Sequence, residues 1–182
     1  MTSPSTLTRR RWLVLALAAP GLAAAAGPAA QETSWDELMP KDWDPIKEMR
    51  LGDIGLVREG SAKERELMRQ MREVWDHAPT NPKMHGARVR LPGYVVPLEE
   101  VKGELKEFLL VPYFGACIHT PPPPANQIVH VLSAKPLKGW RTMDAVWVDG
   151  TLQAARSDSA MGASGYSISD PVVERYAPRP RP

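Results

Sequence analysis

The residues best suited to chemistry in this sequence are one cysteine and one histidine, placed two positions apart. Cys117 is the only cysteine of the 182-residue chain, and His119 follows it after a single isoleucine. If the backbone between them is extended, both side chains project from the same face. A thiolate and an imidazole on one face can bind a soft or borderline ion such as zinc or copper. The pair therefore predicts a metal site that still lacks ligands, because a stable zinc centre needs three or four.

His130 is the preferred third ligand for this site. It lies on the next predicted strand, after a loop that can fold back towards the cysteine. The other candidates are His85, His77 and a carboxylate such as Glu99.

Two further interpretations of Cys117 stay open. Free cysteine is among the most buried residue types, so the thiol can be a core residue with no chemistry. It can also be a nucleophile, with His119 or His130 as its base and Asn126 or Gln127 stabilising an oxyanion. The two-residue spacing counts against His119 as the base, so we assign no catalytic residue and expect a protein that is not an enzyme.

Four consecutive prolines follow the cysteine and histidine. Pro121, Pro122, Pro123 and Pro124 can form a stiff polyproline II segment without amide donors. Such a segment can present a recognition ridge to a partner protein or serve as a rigid connector between strands. Asn126 and Gln127 come next and can bond backbone groups that the prolines leave unpaired.

The block 115–127, Gly-Ala-Cys-Ile-His-Thr-Pro-Pro-Pro-Pro-Ala-Asn-Gln, also carries a family resemblance. With Pro-Gly-Tyr-Val-Val-Pro-Leu-Glu at 92–99 and Phe-Leu-Leu-Val-Pro-Tyr at 108–113, it resembles domain-of-unknown-function family thirty-two ninety-nine, a set of small exported bacterial proteins. The family has no established activity, but its members are often encoded beside transport genes connected with metal supply. The resemblance therefore implies a metal-related periplasmic role, with an inner-membrane transport component as a possible partner. His85 departs from the family pattern, which has a small turn residue there.

The first 26 residues have the pattern of a cleaved export signal. Arg9, Arg10 and Arg11 precede an apolar run that is interrupted at Pro20 and is shorter than the roughly 18 residues that cross a membrane. The run ends in small residues, so we expect cleavage after Ala26, or alternatively after Ala30, and no permanent membrane anchor. The arginines fit the twin-arginine pattern, with general secretion as the alternative. The mature protein is then periplasmic.

Loss of this segment removes three of the 23 basic residues and none of the 21 acidic ones, which changes the net charge from +2 to −1 (20 minus 21). Nucleic-acid binding proteins usually carry a clustered basic face, so we expect no such partner.

The remaining chain predicts one small β-rich domain. We expect an N-terminal arm at 27–60, held by Trp35 and Trp43, then an amphipathic helix at 61–78 that begins with a capping box of Ser61 and Glu64. Short strands follow, and the segment from 156 onward is a final strand or loop. This order indicates an α+β, mainly β fold: a partly open, OB-like barrel or a sandwich over 61–176, with a disordered tail at 177–182. The predicted strands are 87–91 with 93–97, 108–113, 128–132 and 145–152.

Overall fold

The structure is a computed structural model that describes residues 30–49, 57–117 and 122–177. The predicted export signal at 1–26 lies outside these residues, as do His119, Pro121 and residues 178–182 of the predicted tail. Within the described part of the chain, no helix is long and apolar enough to cross a membrane.

Most of the described chain forms one eight-stranded sheet, which confirms the α+β, mainly β class. The strands follow the order β6-β7-β4-β3-β2-β5-β8, and β1 pairs in parallel with β2. Every pair along that order is antiparallel except β4 and β7. The elements are β1 (Gln31–Glu32), α1 (Pro45–Glu48), α2 (Ala62–Asp76), β2 (Arg88–Val101), β3 (Glu104–Val111), β4 (Val129–Leu137), β5 (Ala145–Thr151), β6 (Gln153–Ser159), β7 (Gly162–Ser169) and β8 (Val172–Arg175).

The sequence predicted a single final strand or loop from 156 onward, whereas the structure has three strands after β5, namely β6, β7 and β8. β6 and β7 form a hairpin, and β8 adds an edge strand to β5. β6 reads QAARSDS and β7 reads GASGYSIS, so small and polar residues hide the alternation that marks a strand. The buried positions of β7 are filled largely by Ala, Ser and Gly, which suits close packing but gives little apolar signal.

The sheet curls around its main core but has two open edges, β6 and β8. A Cβ added to Gly150 in β5 would collide with Ile168 in β7, although three strands separate these two in the sheet order. Such a contact requires the inner face to wrap onto itself. The described residues do not close the sheet, so an OB-like barrel or a sandwich stays a prediction.

Alternation along β3 divides its side chains between two apolar clusters. Phe108 and Leu110 join the main core, which also contains Leu91 and Tyr166. Leu109 and Val111 face the other way, into a smaller cluster that we call the outer cluster. Its buried members are Val96, Leu109, Val111, Ala116 and Ile128, and Cys117 packs against them.

Helix α2 begins as the sequence predicts. Ser61 is its N-cap, and the hydroxyl accepts from the Glu64 amide at 3.1 Å. The Glu64 carboxylate accepts in return from the amide of Gly60, one residue before the cap. The predicted capping box is therefore half formed, because the carboxylate bonds Gly60 and the Ser61 amide donates to the Arg58 carbonyl instead. The apolar side of the helix packs only partly, since none of its residues is fully buried and Met68 is 48% exposed.

The N-terminal arm is held over the domain by both predicted tryptophans. Trp35 donates from Nε1 to the carbonyl of Pro92 at 2.7 Å. Trp43 packs against a small buried cluster that includes Ala78 at the end of α2 and Ala125. Tyr166, fully buried in β7, adds a third attachment because its hydroxyl donates to the Leu38 carbonyl at 2.7 Å.

Candidate functional site

The loop after β3 brings Cys117 to the surface of the sheet. β3 ends at Val111, because Pro112 has no amide to continue the ladder. Two residues of the loop, Gly115 and Cys117, have φ angles of +85° and +64°. Positive φ reverses the chain direction, so the loop folds back onto the outer cluster.

Cys117 is a half-buried free thiol between apolar and polar surroundings. On one side it packs against the outer cluster. On the other it lines a polar, open cavity of about 350 Å³ between α2 and the β6–β7 hairpin. Burial raises the pKa of the Cys117 thiol to about 11, so it is protonated at neutral pH when no metal is bound. The other described residues that line the cavity are Arg72, Asp76, Pro122 and residues 158–163.

The backbone at Cys117 is in a conformation that favours glycine. For other residues, the left-handed region costs roughly 1–2 kcal/mol, because Cβ crowds the following carbonyl. The chain carries a thiol here despite that strain. Lys102, Met143 and Asp170 also have positive φ, so what distinguishes Cys117 is this conformation together with a free thiol at a cavity.

The structure gives no distance between Cys117 and its predicted metal-binding partner, His119. His119 and Pro121 lie outside the described residues. The expected geometry of Cys117 and His119 therefore stays a prediction.

His130 lies on β4 and forms a close pair with Glu107 on β3. Its Nε2 is 2.6 Å from Oε1 of Glu107, and the residue is only 9% exposed. His130 is the register partner of Leu109, a member of the outer cluster, so its side chain is on the same side of the sheet as Cys117. It does not belong to the described lining of the Cys117 cavity.

The other proposed third ligands have different neighbours. Nδ1 of His77 is 2.8 Å from the Glu73 carbonyl of its own helix, and Nδ1 of His85 accepts from the Ala154 amide at 3.2 Å. Glu99 pairs with Lys106 at 3.2 Å. Among residues 30–49, 57–117 and 122–177, no three His, Cys, Asp or Glu side chains form a group that could hold a metal ion.

The second half of the proline block is built into the protein. Asn126 is fully buried and donates to the Pro79 carbonyl at 2.9 Å, just beyond the end of α2. Gln127 donates to the Trp35 carbonyl at 2.7 Å. Pro122 lies against Gly162, where an added Cβ would be 3.2 Å from the proline ring. These residues connect the loop to the arm, the helix and the hairpin.

The polar side of the cavity was not anticipated from the sequence. Arg72 and Asp76 were assigned only to the helix, and the hairpin residues from 156 onward only to a final strand or loop. Arg156 bonds the Asp76 carbonyl and the Asp158 carboxylate, at 2.6 Å for the latter, and so ties the hairpin to the helix end. Arg72 and Asp76 are four residues apart, so they lie on the same face of the helix. That spacing was the only sequence signal for the polar side of the cavity.

The fold has a solved counterpart. A crystal structure of a DUF3299 family protein from Pseudomonas aeruginosa PAO1 is similar to this chain, with 33% sequence identity and a TM-score of 0.63. The likeness covers 84% of this chain and 100% of that one. No protein of curated function matches the chain. The profile of the family described as "Protein of unknown function (DUF3299)" matches residues 35–175, from the first arm tryptophan to the end of β8, and the chain belongs to that family.

Proposed function

We propose that this protein is exported to the periplasm and binds a transition metal, zinc or copper, through Cys117, as a non-enzymatic component of a metal-related transport system. The observation that carries the proposal is a free thiol held in a strained backbone conformation at the wall of an open polar cavity. In the oxidising periplasm an unpaired cysteine needs protection or a partner. A metal supplies such a partner.

The raised pKa of Cys117 disfavours its use as a nucleophile. Reactive cysteines have lowered pKa values, whereas burial raises this one to about 11. A metal ion displaces the thiol proton on binding, so a high pKa weakens metal affinity without preventing it. A thiol enzyme needs a group that removes the proton from Cys117. Among the described residues around Cys117, we assign no such base.

His130 fits the role of a further ligand through its second nitrogen. Metal-binding histidines usually donate their other ring N–H to a carboxylate, which fixes the ring and raises its basicity. Glu107 stands in that relation to Nε2 of His130, which leaves Nδ1 for a metal. Cys117, His119 and His130 would be the ligands, and Glu107 would orient one of them. We also propose that the sheet is curved as in an OB-like barrel and that these ligands lie on its outer side.

Metal content of the exported protein tests this assignment. Protein purified from the periplasm should hold about one equivalent of zinc or copper, as expected for one site. A Cys117→Ser, His119→Ala double variant should lose it. His77→Ala is the matched control: that histidine is exposed, its Nδ1 is 2.8 Å from the Glu73 carbonyl, and its loss should leave the metal content unchanged.

Glu107→Gln tests the part assigned to His130. Loss of an orienting carboxylate typically lowers metal affinity about 10- to 100-fold, which competition with a chromophoric chelator measures. Equal and substoichiometric metal in the wild type and the double variant would exclude a site at Cys117. Unchanged affinity in Glu107→Gln would remove His130 from the ligand set.

Export has its own test. N-terminal sequencing of the periplasmic protein should begin at Gly27, or at Gln31 for the alternative cleavage. Replacing Arg9 and Arg10 by lysine should retain the precursor in the cytoplasm if the twin-arginine route is used. Continued export of that variant would favour general secretion.

The adaptor alternative, with the oligoproline as a recognition ridge, predicts a different result. A transport component captured by the wild type should then still be captured in the presence of chelator and after Cys117→Ser. Pro122 lies against Gly162 and Pro123 is buried, so this part of the prolines is already in contact with the protein itself.

A further inference from the structure

An aromatic cleft is formed by residues that play no part in the metal proposal. It has a volume of about 230 Å³. Three aromatic side chains from three different parts of the chain line it: Trp35 from the arm, Tyr94 from β2 and Tyr176 just after β8. The remaining described lining is Pro92, Gly93, Pro112 and Ala145.

The cleft crosses four neighbouring strands at one end of the sheet. The Tyr176 amide donates to the carbonyl of Ala145, at the start of β5. Ala145 is the register partner of Tyr94 in β2, and Tyr94 is the partner of Val111, the last residue of β3 before Pro112. Three strand spacings of about 4.8 Å therefore separate the Tyr176 end from the Pro112 end, which makes the cleft about 14 Å long.

The rings are held in place before any ligand arrives. Tyr176 packs on Trp147, with ring centroids 5.3 Å apart, yet remains 41% exposed. Tyr94 meets Phe114 edge to face at 5.7 Å. Trp35 is fixed by its bond to the Pro92 carbonyl. Grooves lined by fixed aromatic rings recognise polyproline II segments, because the proline rings pack on them and the ligand loses little entropy.

We propose that this cleft binds the chain's own C-terminal segment, Pro-Arg-Pro-Arg-Pro at 178–182. The segment begins two residues after Tyr176, which itself lines the cleft. Five residues in a polyproline II conformation extend about 15 Å, close to the length of the cleft. The short covalent connection also gives the segment a high effective concentration, on the order of millimolar.

The segment carries Arg179 and Arg181 between its prolines. Asp144, next to the lining residue Ala145, already pairs with Arg175 at 3.5 Å, so the tethered proline rings, and not charge, favour this occupant. The oligoproline at 122–124 does not compete, because Pro122 lies against Gly162 and Pro123 is buried.

Nuclear magnetic resonance of the mature protein, compared with a form that ends after Ala177, tests the proposal. The indole N–H of Trp35 should shift on truncation, and the peptide Ala-Pro-Arg-Pro-Arg-Pro added to the truncated protein should reverse the shift. In the intact protein, the amides of Arg179 and Arg181 should show heteronuclear NOE values like those of the sheet. A disordered tail predicts low or negative values instead.

Two variants make the result specific to the cleft. Tyr176→Ala removes a partly exposed lining ring and should abolish both the shift and the high NOE values. Val172→Ala, in β8 just before Tyr176 and 57% exposed but not among the described cleft residues, should leave both unchanged. Low NOE values at Arg179 and Arg181 in the intact protein would overturn the proposal. Low values would overturn the proposal even if the free peptide binds, because the cleft would then bind a proline-rich partner and not the chain's own segment.

Discussion

The two halves of the block 115–127 are used very differently by the fold. Asn126 and Gln127 are tied by hydrogen bonds to the helix end and to the arm. Cys117 instead sits in a turn with positive φ and lines an open cavity. The two sites are only nine residues apart in the sequence.

The difference teaches that a distinctive sequence block need not be one functional unit. Its second half has a structural role, because it connects the arm, the end of α2 and β7 to one another. The described part of its first half is a turn with positive φ at Gly115 and Cys117, with Ala116 buried in the outer cluster between them. A function is therefore best sought at Cys117, whereas Asn126 and Gln127 are best treated as parts of the scaffold.

The strongest test of this contrast is Asn126→Asp. The carboxylate cannot donate to the Pro79 carbonyl and would be buried without a cation, since the position is fully buried. An uncompensated buried charge typically costs about 3–5 kcal/mol. We expect that loss in the free energy of unfolding at pH 7, measured by urea denaturation.

Asn126→Ala distinguishes the effect of a buried charge on the free energy of unfolding from the effect of the lost hydrogen bond. It should cost less, about 1–3 kcal/mol, because only the donor to Pro79 is removed. The Oδ1 atom of Asn126 has no partner among the described residues, so its loss adds nothing to that cost. An aspartate that is tolerated as well as alanine would show that Asn126 is not a structural attachment.

The thiol provides the second test. With a pKa near 11 rather than the ordinary 9.0, Cys117 should hold about 100-fold less thiolate at pH 7.5 than a free cysteine. Alkylation of metal-free folded protein by iodoacetamide should be slower by about that factor and should accelerate as the pH rises towards 11. The same protein in denaturant provides the control rate. Rapid alkylation of the folded protein near neutral pH would instead favour the thiol enzyme.

Local signals in the sequence predicted the first part of this fold well. The capping box at Ser61 and Glu64 and the 3-to-4 apolar spacing fixed the start and type of α2. The strands predicted at 87–91 and 93–97 fall within β2, and the one predicted at 108–113 overlaps β3, which begins four residues earlier and ends at Val111. Each of these features depends on residues close together in the chain, which is where sequence patterns are most informative.

The missed features all depend on distant contacts. Tyr166 connects Leu38 with Asn81, residues that lie more than 40 positions apart in the sequence and far from Tyr166 itself. The cavity at Cys117 requires the β6–β7 hairpin to lie beside α2, and the hairpin's small polar residues concealed it. No local pattern specifies which helix face a later hairpin will meet.

Gln127→Ala is a milder test of the structural half. The amide donates to the Trp35 carbonyl in a half-buried position, and a hydrogen bond of this kind contributes about 0.5–1.5 kcal/mol. We expect that decrease in the free energy of unfolding and greater protease sensitivity of the arm. Gln70→Ala, which removes a bond on the exposed face of α2, serves as the matched control. Equal effects of both variants would mean that Gln127 does not secure the arm.

The smallest expected effect distinguishes strain from packing at Cys117. Alanine there keeps the Cβ that crowds the backbone at φ +64°, whereas glycine removes it. Glycine also makes the unfolded chain more flexible, which offsets roughly 0.5–1 kcal/mol of the relief. Cys117→Gly should therefore be more stable than Cys117→Ala by up to about 1 kcal/mol, the difference left when those costs are set against each other. Both variants should lose metal equally, because both lack the thiol. If alanine proved the more stable of the two, the turn would not be strained, and the reason for placing a function at this residue would be lost with it.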